Sequence, residues 1–179
     1  MNTFKLFWDL HKWTGIAISV VVVVTSVTGF LLLLKKEFAW IQPSTQQGEA
    51  GPPSAYISSE RLFDVVLDQE HPDFRSLEDV DRVDLRPGKH VAKVRSERND
   101  TEIQVCMTTG RVLSVDVRRS DWLERLHDGS MIGKPFHDYV MPVVALALLF
   151  LVFSGLWLWL EPIVKRARRR ARDRRRSDG

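Results

Sequence analysis

Two long apolar runs stand on either side of a charged middle segment. Residues 13–34 ("WTGIAISVVVVVTSVTGFLLLL") and 139–160 ("YVMPVVALALLFLVFSGLWLWL") are each 22 residues long and carry no charge. A helix of that length rises about 33 Å, enough to cross the roughly 30 Å hydrocarbon core of a bilayer. The pattern therefore predicts two transmembrane helices. The first is too long for the apolar stretch of a typical signal peptide, and "LKKEF" follows it where small residues would mark a cleavage site, so it reads as a retained anchor. Its interior is interrupted by Thr25, Ser26, Thr28 and Gly29, small or polar residues that allow close approach of another helix or of a flat ligand. Residues 1–12 form an amphipathic lead-in with Thr3 as its candidate N-cap. Phe4, Phe7, His11 and Gly15 fall on one line at helical spacing.

The middle segment changes period. Residues 35–54 read as a linker rich in Pro, Gly, Ser and Gln, with Trp40 as an interface anchor. "SSERLFDVVLDQEH" predicts a short helix capped by Ser58 or Ser59, with Leu62, Val65, Val66 and Gln69 on its inner face. Four strand-like runs follow: "DVDRVDLR", "HVAKVRSE", "TEIQVCM" and "RVLSVDVR", separated by the turn signals "PGK", "RND" and "TTG". Their alternation turns Val83 and Leu85, Ile103 and Val105, and Leu113, Val115 and Val117 inward. Residues 55–118 are thus expected to form a small α+β domain, one helix on a four-stranded antiparallel meander. Residues 119–138 lead into the second span. A short helix starting at Ser120 or Asp121 carries Trp122, Leu123 and Leu126, with His127 on its apolar side four residues after Leu123. Gly129, Gly133 and Pro135 then break it. The fold class is a membrane protein, two transmembrane helices flanking a small α+β domain.

Charge adds orientation. The net charge of +3 is concentrated at the end of the chain, where the basic tail 161–179 holds nine basic and three acidic residues. Residues 35–138 hold 15 basic and 19 acidic ones. Positive charge favours the cytoplasmic side, so both termini are expected inside and the domain outside, which in a bacterium means a cytoplasmic-membrane protein with a periplasmic domain. The arginines would meet lipid headgroups, and nucleic acid is not an expected partner. A single cysteine, Cys106, excludes an intrachain disulfide.

The histidines carry the candidate chemistry. His11 lies between Trp8 and Trp13, where the residues alone leave two readings: an interfacial residue in an aromatic belt, or a ligand with room for a porphyrin edge beside Gly15. His127 reads as a capping residue beneath the domain or as a ligand. His137, beside Asp138, reads as an interface residue or an alternative ligand. His71 and His90 lie among polar residues of the domain and are expected to be solvent-exposed. With both termini inside, His11 and His127 should be separated by nearly a full bilayer, about 30 Å.

The order of "LHKWTG", a helix-plus-meander domain, "WLERLHDGSMIGKPFHDYV" and "SGLWLWLEP" resembles the PepSY-associated transmembrane helix family over nearly the whole chain. Better-known members are longer, typically with four spans, and include membrane reductases that hold b-type haem between histidines and act on iron–siderophore complexes. The resemblance implies that His11 and His127 are candidate axial ligands of b-type haem iron. His137 is an additional histidine, and Asp138 matches a commonly acidic position. Two spans are half the usual number, which implies a homodimer or a larger membrane complex supplying the opposite ligands. Three functions follow as expectations: an electron-transfer subunit carrying haem, a non-catalytic accessory subunit of a membrane complex, or a regulator of a periplasmic peptidase. No nucleophile–base pair or carboxylate dyad stands out, so no hydrolase site is expected.

Overall fold

A computed structural model describes residues 3–177. The first two residues of the lead-in and the last two of the basic tail lie outside the described residues. The element order is α1 (Thr3–Leu33), α2 (Ser59–Leu67), β1 (Val80–Arg86), β2 (Val91–Ser96), β3 (Thr101–Cys106), β4 (Val112–Val117), α3 (Arg119–His127) and α4 (Met141–Ser177). The chain divides into two compact units, residues 28–125 and the remainder.

The unit of residues 28–125 contains the expected domain. The strands form one antiparallel sheet in the order β1-β2-β3-β4, the meander that three short turns dictate. The turns work because Asp100 and Gly110 adopt positive φ, a conformation that Asp and Gly accept most readily. Ser58 caps α2 by accepting from the Arg61 amide at 3.2 Å, which satisfies one of the helix's orphan donors. Leu62, Val65 and Val66 of α2 pack with Phe74, Ala92, Val94, Ile103 and Val105 into one core. Each fully buried aliphatic or aromatic side chain there contributes about 1.5–3 kcal/mol.

Three details depart from the expectation. Gln69 lies beyond the end of α2 and is exposed, so the inner face stops at Val66. A bulge between Gln104 and Val105 shifts β4, so Val112, not Leu113, pairs with Val105 and packs on the core. Leu85 and Val115 keep the predicted face but remain 56% and 41% exposed, because α2 is too short to cover the sheet's edges. The helix-capping box at Ser76 and Asp79, which orders the approach to β1, carried no period for the sequence to display.

The larger departure is on the sheet's other face. Every residue of β2 and β3 is buried, so the central strands are covered on both sides. The predicted linker does much of this covering. Ile41 is fully buried, and its carbonyl accepts from the Ser120 amide at 2.8 Å. The Gln46 amide donates to Gln104 Oε1 (2.8 Å), and Gln104 Nε2 donates to the Ser44 carbonyl (3.0 Å). At Gly48 a Cβ would lie 2.2 Å from the His90 carbonyl oxygen, so only glycine lets the strap lie this close. Residues 41–49 are therefore an ordered strap rather than a free linker.

The second unit pairs α1 with α4. Phe7 lies against Trp157 with ring centroids 4.8 Å apart. His11 meets Ser154, and the Cβ position of Gly15 is 3.8 Å from Leu151. Residue numbers rise on one helix as they fall on the other, so the two run antiparallel, and the seam on α1 is the Phe4–Phe7–His11–Gly15 line. Away from the seam, apolar side chains are open: Val20 is 74% exposed, Leu146 66% and Phe153 67%. A water-soluble surface does not carry apolar area on this scale, whereas hydrocarbon accepts it. Helix α1 is continuous from the lead-in into the span, and α4 continues through Pro162 into the basic tail.

Candidate functional site

The three candidate histidines all belong to the unit formed by residues 3–27 and 126–177. His11 is half-buried in the α1–α4 seam. Its Nδ1 is 2.8 Å from Ser154 Oγ, and Ser154 Oγ is 2.6 Å from the Phe150 carbonyl oxygen. A carbonyl only accepts, so the serine hydroxyl donates to Phe150 and its oxygen accepts from His11 Nδ1–H. In the neutral ring the lone pair is then on Nε2. Gly155 supports this placement: a Cβ there would be 3.2 Å from His11 Cε1. Trp8 and Trp13 flank His11 in sequence but are 54% and 63% exposed, as an interfacial belt would be.

His127 ends α3, and its Nδ1 is 3.0 Å from the Thr25 carbonyl oxygen. His137 lies in a π-helical turn, Phe136–Val140, and its Nδ1 is 2.9 Å from the Asp128 carbonyl oxygen. Both acceptors are carbonyls, so both rings also donate from Nδ1, which in the neutral ring puts the lone pair on Nε2. The loop between them closes tightly at Gly129, which has φ +77° and has the Phe136 ring 2.7 Å from where a Cβ would sit. That closure brings His137 back to Asp128.

Depth differs from expectation. Thr25 lies fourteen residues after His11 on α1, so His127 docks about 21 Å along the helix from His11 rather than the full bilayer thickness. It reaches inside the first apolar run instead of stopping at its boundary. His11 and His127 of one chain still cannot face each other across one iron. At Gly15 the neighbour is Leu151 of α4. Among the described residues, no group of three or more His, Cys, Asp and Glu side chains is gathered as a metal centre.

These rings suit haem iron in part. Each has the orienting hydrogen bond on one nitrogen that ligating histidines use to present the other. One chain supplies one such ring at the His11 level, and a bis-histidine iron needs two. Ser154 and the Thr25 carbonyl, the anchoring partners, went unrecognised in the sequence. Ser154 four residues after Phe150 was the available signal, since buried helical serines bond to the preceding turn. His71 and His90 are half-buried rather than open. His71 Nδ1 accepts from the Asp73 amide, and His90 Nδ1 is 3.0 Å from the Tyr56 hydroxyl.

No curated protein matches the chain. The PepSY-associated TM region family matches residues 8–178, covering both apolar helices, the meander domain and the histidine-bearing lead-ins, and the chain belongs to that family.

Proposed function

We propose that this chain is a small electron-transfer subunit of a bacterial cytoplasmic membrane that offers His11 and His127 as axial ligands for b-type haem. His137 is a further ligand candidate, and the opposite ligands come from a second copy or a larger partner. The observation that carries this reading is the shared anchoring of the three rings. In each, Nδ1 lies on a hydrogen-bond acceptor, an arrangement that in a neutral ring makes Nε2 the ligating nitrogen. Bound haem would supply one-electron chemistry. The chain's own part is to hold the rings, through Ser154, Thr25 and Asp128.

The roughly 21 Å between the two histidine levels favours a second reading, a non-catalytic subunit that stabilises a larger redox complex. One experiment separates the two. The chain is purified in mild detergent with whatever co-purifies, and reduced-minus-oxidised spectra are recorded for wild type, His11→Ala and His127→Ala. A b-type spectrum that weakens in either variant supports ligation. Haem-free material, or haem unchanged in both variants, refutes it in favour of the accessory role.

A further inference from the structure

The sheet face opposite α2 carries charge that the α2-side core does not explain. Glu102, fully buried on β3, accepts from Lys93 Nζ and from Arg118 NH1, each at 3.0 Å, with Arg95 Nε at 3.6 Å. Three cations thus converge on one carboxylate. Arg95 also reaches Asp84 at 2.7 Å and Asp121 at 3.8 Å, yet its Nε, buried within a residue 7% exposed, makes no hydrogen bond. Gln42 Oε1 is a second buried polar atom without a partner.

Lys93, Arg95, Arg118 and Gln42 line the same cleft, about 660 Å³ in volume. Its rim adds Lys35, Lys36, Arg82, Arg86 and Lys89. Five carboxylates touch these eight cations: Glu102, Asp84, Asp121, Asp81 and Glu124. Lys36, Arg86 and Lys89 have no carboxylate within 4 Å among the described residues. The surplus is local, because residues 35–138 as a whole are acidic. Burial, followed by the neighbouring Arg118 guanidinium, holds Arg95 below the usual arginine range, as expected where positive charge is under-compensated.

We propose that this cleft binds a phosphate ester that also carries a hydroxyl group. The phosphate takes the Arg95 Nε–H and the surplus positive charge, and the hydroxyl donates to Gln42 Oε1. A tetrahedral phosphate anion, whether the monoanion of a diester or the dianion of a monoester, matches converging guanidinium and ammonium donors better than an apolar or cationic ligand would. Two sources share this chemistry. Lys35 and Lys36 directly follow the last apolar residue of the first span, so the rim begins at headgroup level and a phosphatidylglycerol headgroup is within the chain's reach. A soluble polyol phosphate is the other.

The full chain in neutral detergent is titrated with glycerol 3-phosphate, and separately with micelles doped with phosphatidylglycerol or phosphatidylcholine, at matched ionic strength. Binding is read by calorimetry and by the thermal midpoint. Saturable binding of glycerol phosphate supports the cleft with a soluble ligand. Binding to phosphatidylglycerol micelles alone, weakened by the cleft variants below and so not due to the arginine tail, supports it with a lipid headgroup. Arg95→Lys keeps the charge but removes Nε–H, and Arg86→Glu with Lys89→Glu reverses the rim away from the span. Each should weaken binding about tenfold or more. Binding no stronger than to phosphatidylcholine overturns the proposal, as does binding unchanged in the variants. If Arg95→Lys does not fold, the rim variant, with both side chains exposed, decides alone.

Discussion

Ser154 shows how one small side chain organises a ring. By donating to the Phe150 carbonyl it is left to accept from His11, which sets the tautomer and the orientation together. On the proposed ligation, Ser154→Ala should lower haem retention of the purified protein about 10- to 100-fold, with Ser154→Thr restoring most of it, as read from the b-type absorbance per chain. Equal loss in both variants would point to helix packing instead. A second residue-level effect concerns pH. Hydrogen bonds from Thr101 and then Asn99 hold the Asp73 carboxyl below its usual range, against the cost of burial, and Arg98 with backbone amides does the same for Asp79. A carboxylate whose folded pKa is depressed contributes stability that is complete above its ordinary pKa of about 3.9 and is lost as pH falls through the folded value. The domain should therefore lose stability below about pH 4. Asp73→Asn should flatten that acid limb in denaturant titrations by circular dichroism.

At the scale of elements, the two faces of the sheet obey different rules. On the α2 side Phe74 is almost wholly buried among aliphatic neighbours, and Phe74→Ala should cost about 3–5 kcal/mol by the lost contact and the cavity left behind. On the strap side Glu102→Gln should cost a comparable 3–5 kcal/mol, because it strands cations that the carboxylate offsets. Equilibrium unfolding of the full chain, monitored in the β region, measures both. The strands were legible because an apolar face alternates with a polar one, which leaves a period of two, and α2 because it leaves a period near four. The strap was not legible. It has no period, and Gly48, Gln46 and Ser44 read as flexible until the sheet surface they cover is in place. Leu113 was misplaced for a related reason, since a bulge changes pairing without marking the sequence.

At the scale of the molecule, the exposed apolar belts of α1 and α4 make this a membrane protein of the PepSY-associated TM region family. If the arginine tail is cytoplasmic, a reporter active only in the cytoplasm should work when fused after residue 179, and one inserted near residue 98 should not. The reverse pattern would invert the topology. Composition and period alone were sufficient for two spans, the meander order and the line of Phe4, Phe7, His11 and Gly15 along α1, because each is written as local spacing along the chain; that this line packs on α4 came from the structure. What spacing could not supply was the depth at which His127 docks, the partners of its ring and of His11, and the crowding of cations around Glu102. Those depend on residues more than a hundred positions apart, or on neighbouring strands of a sheet, meeting in space, and only packing brings them together.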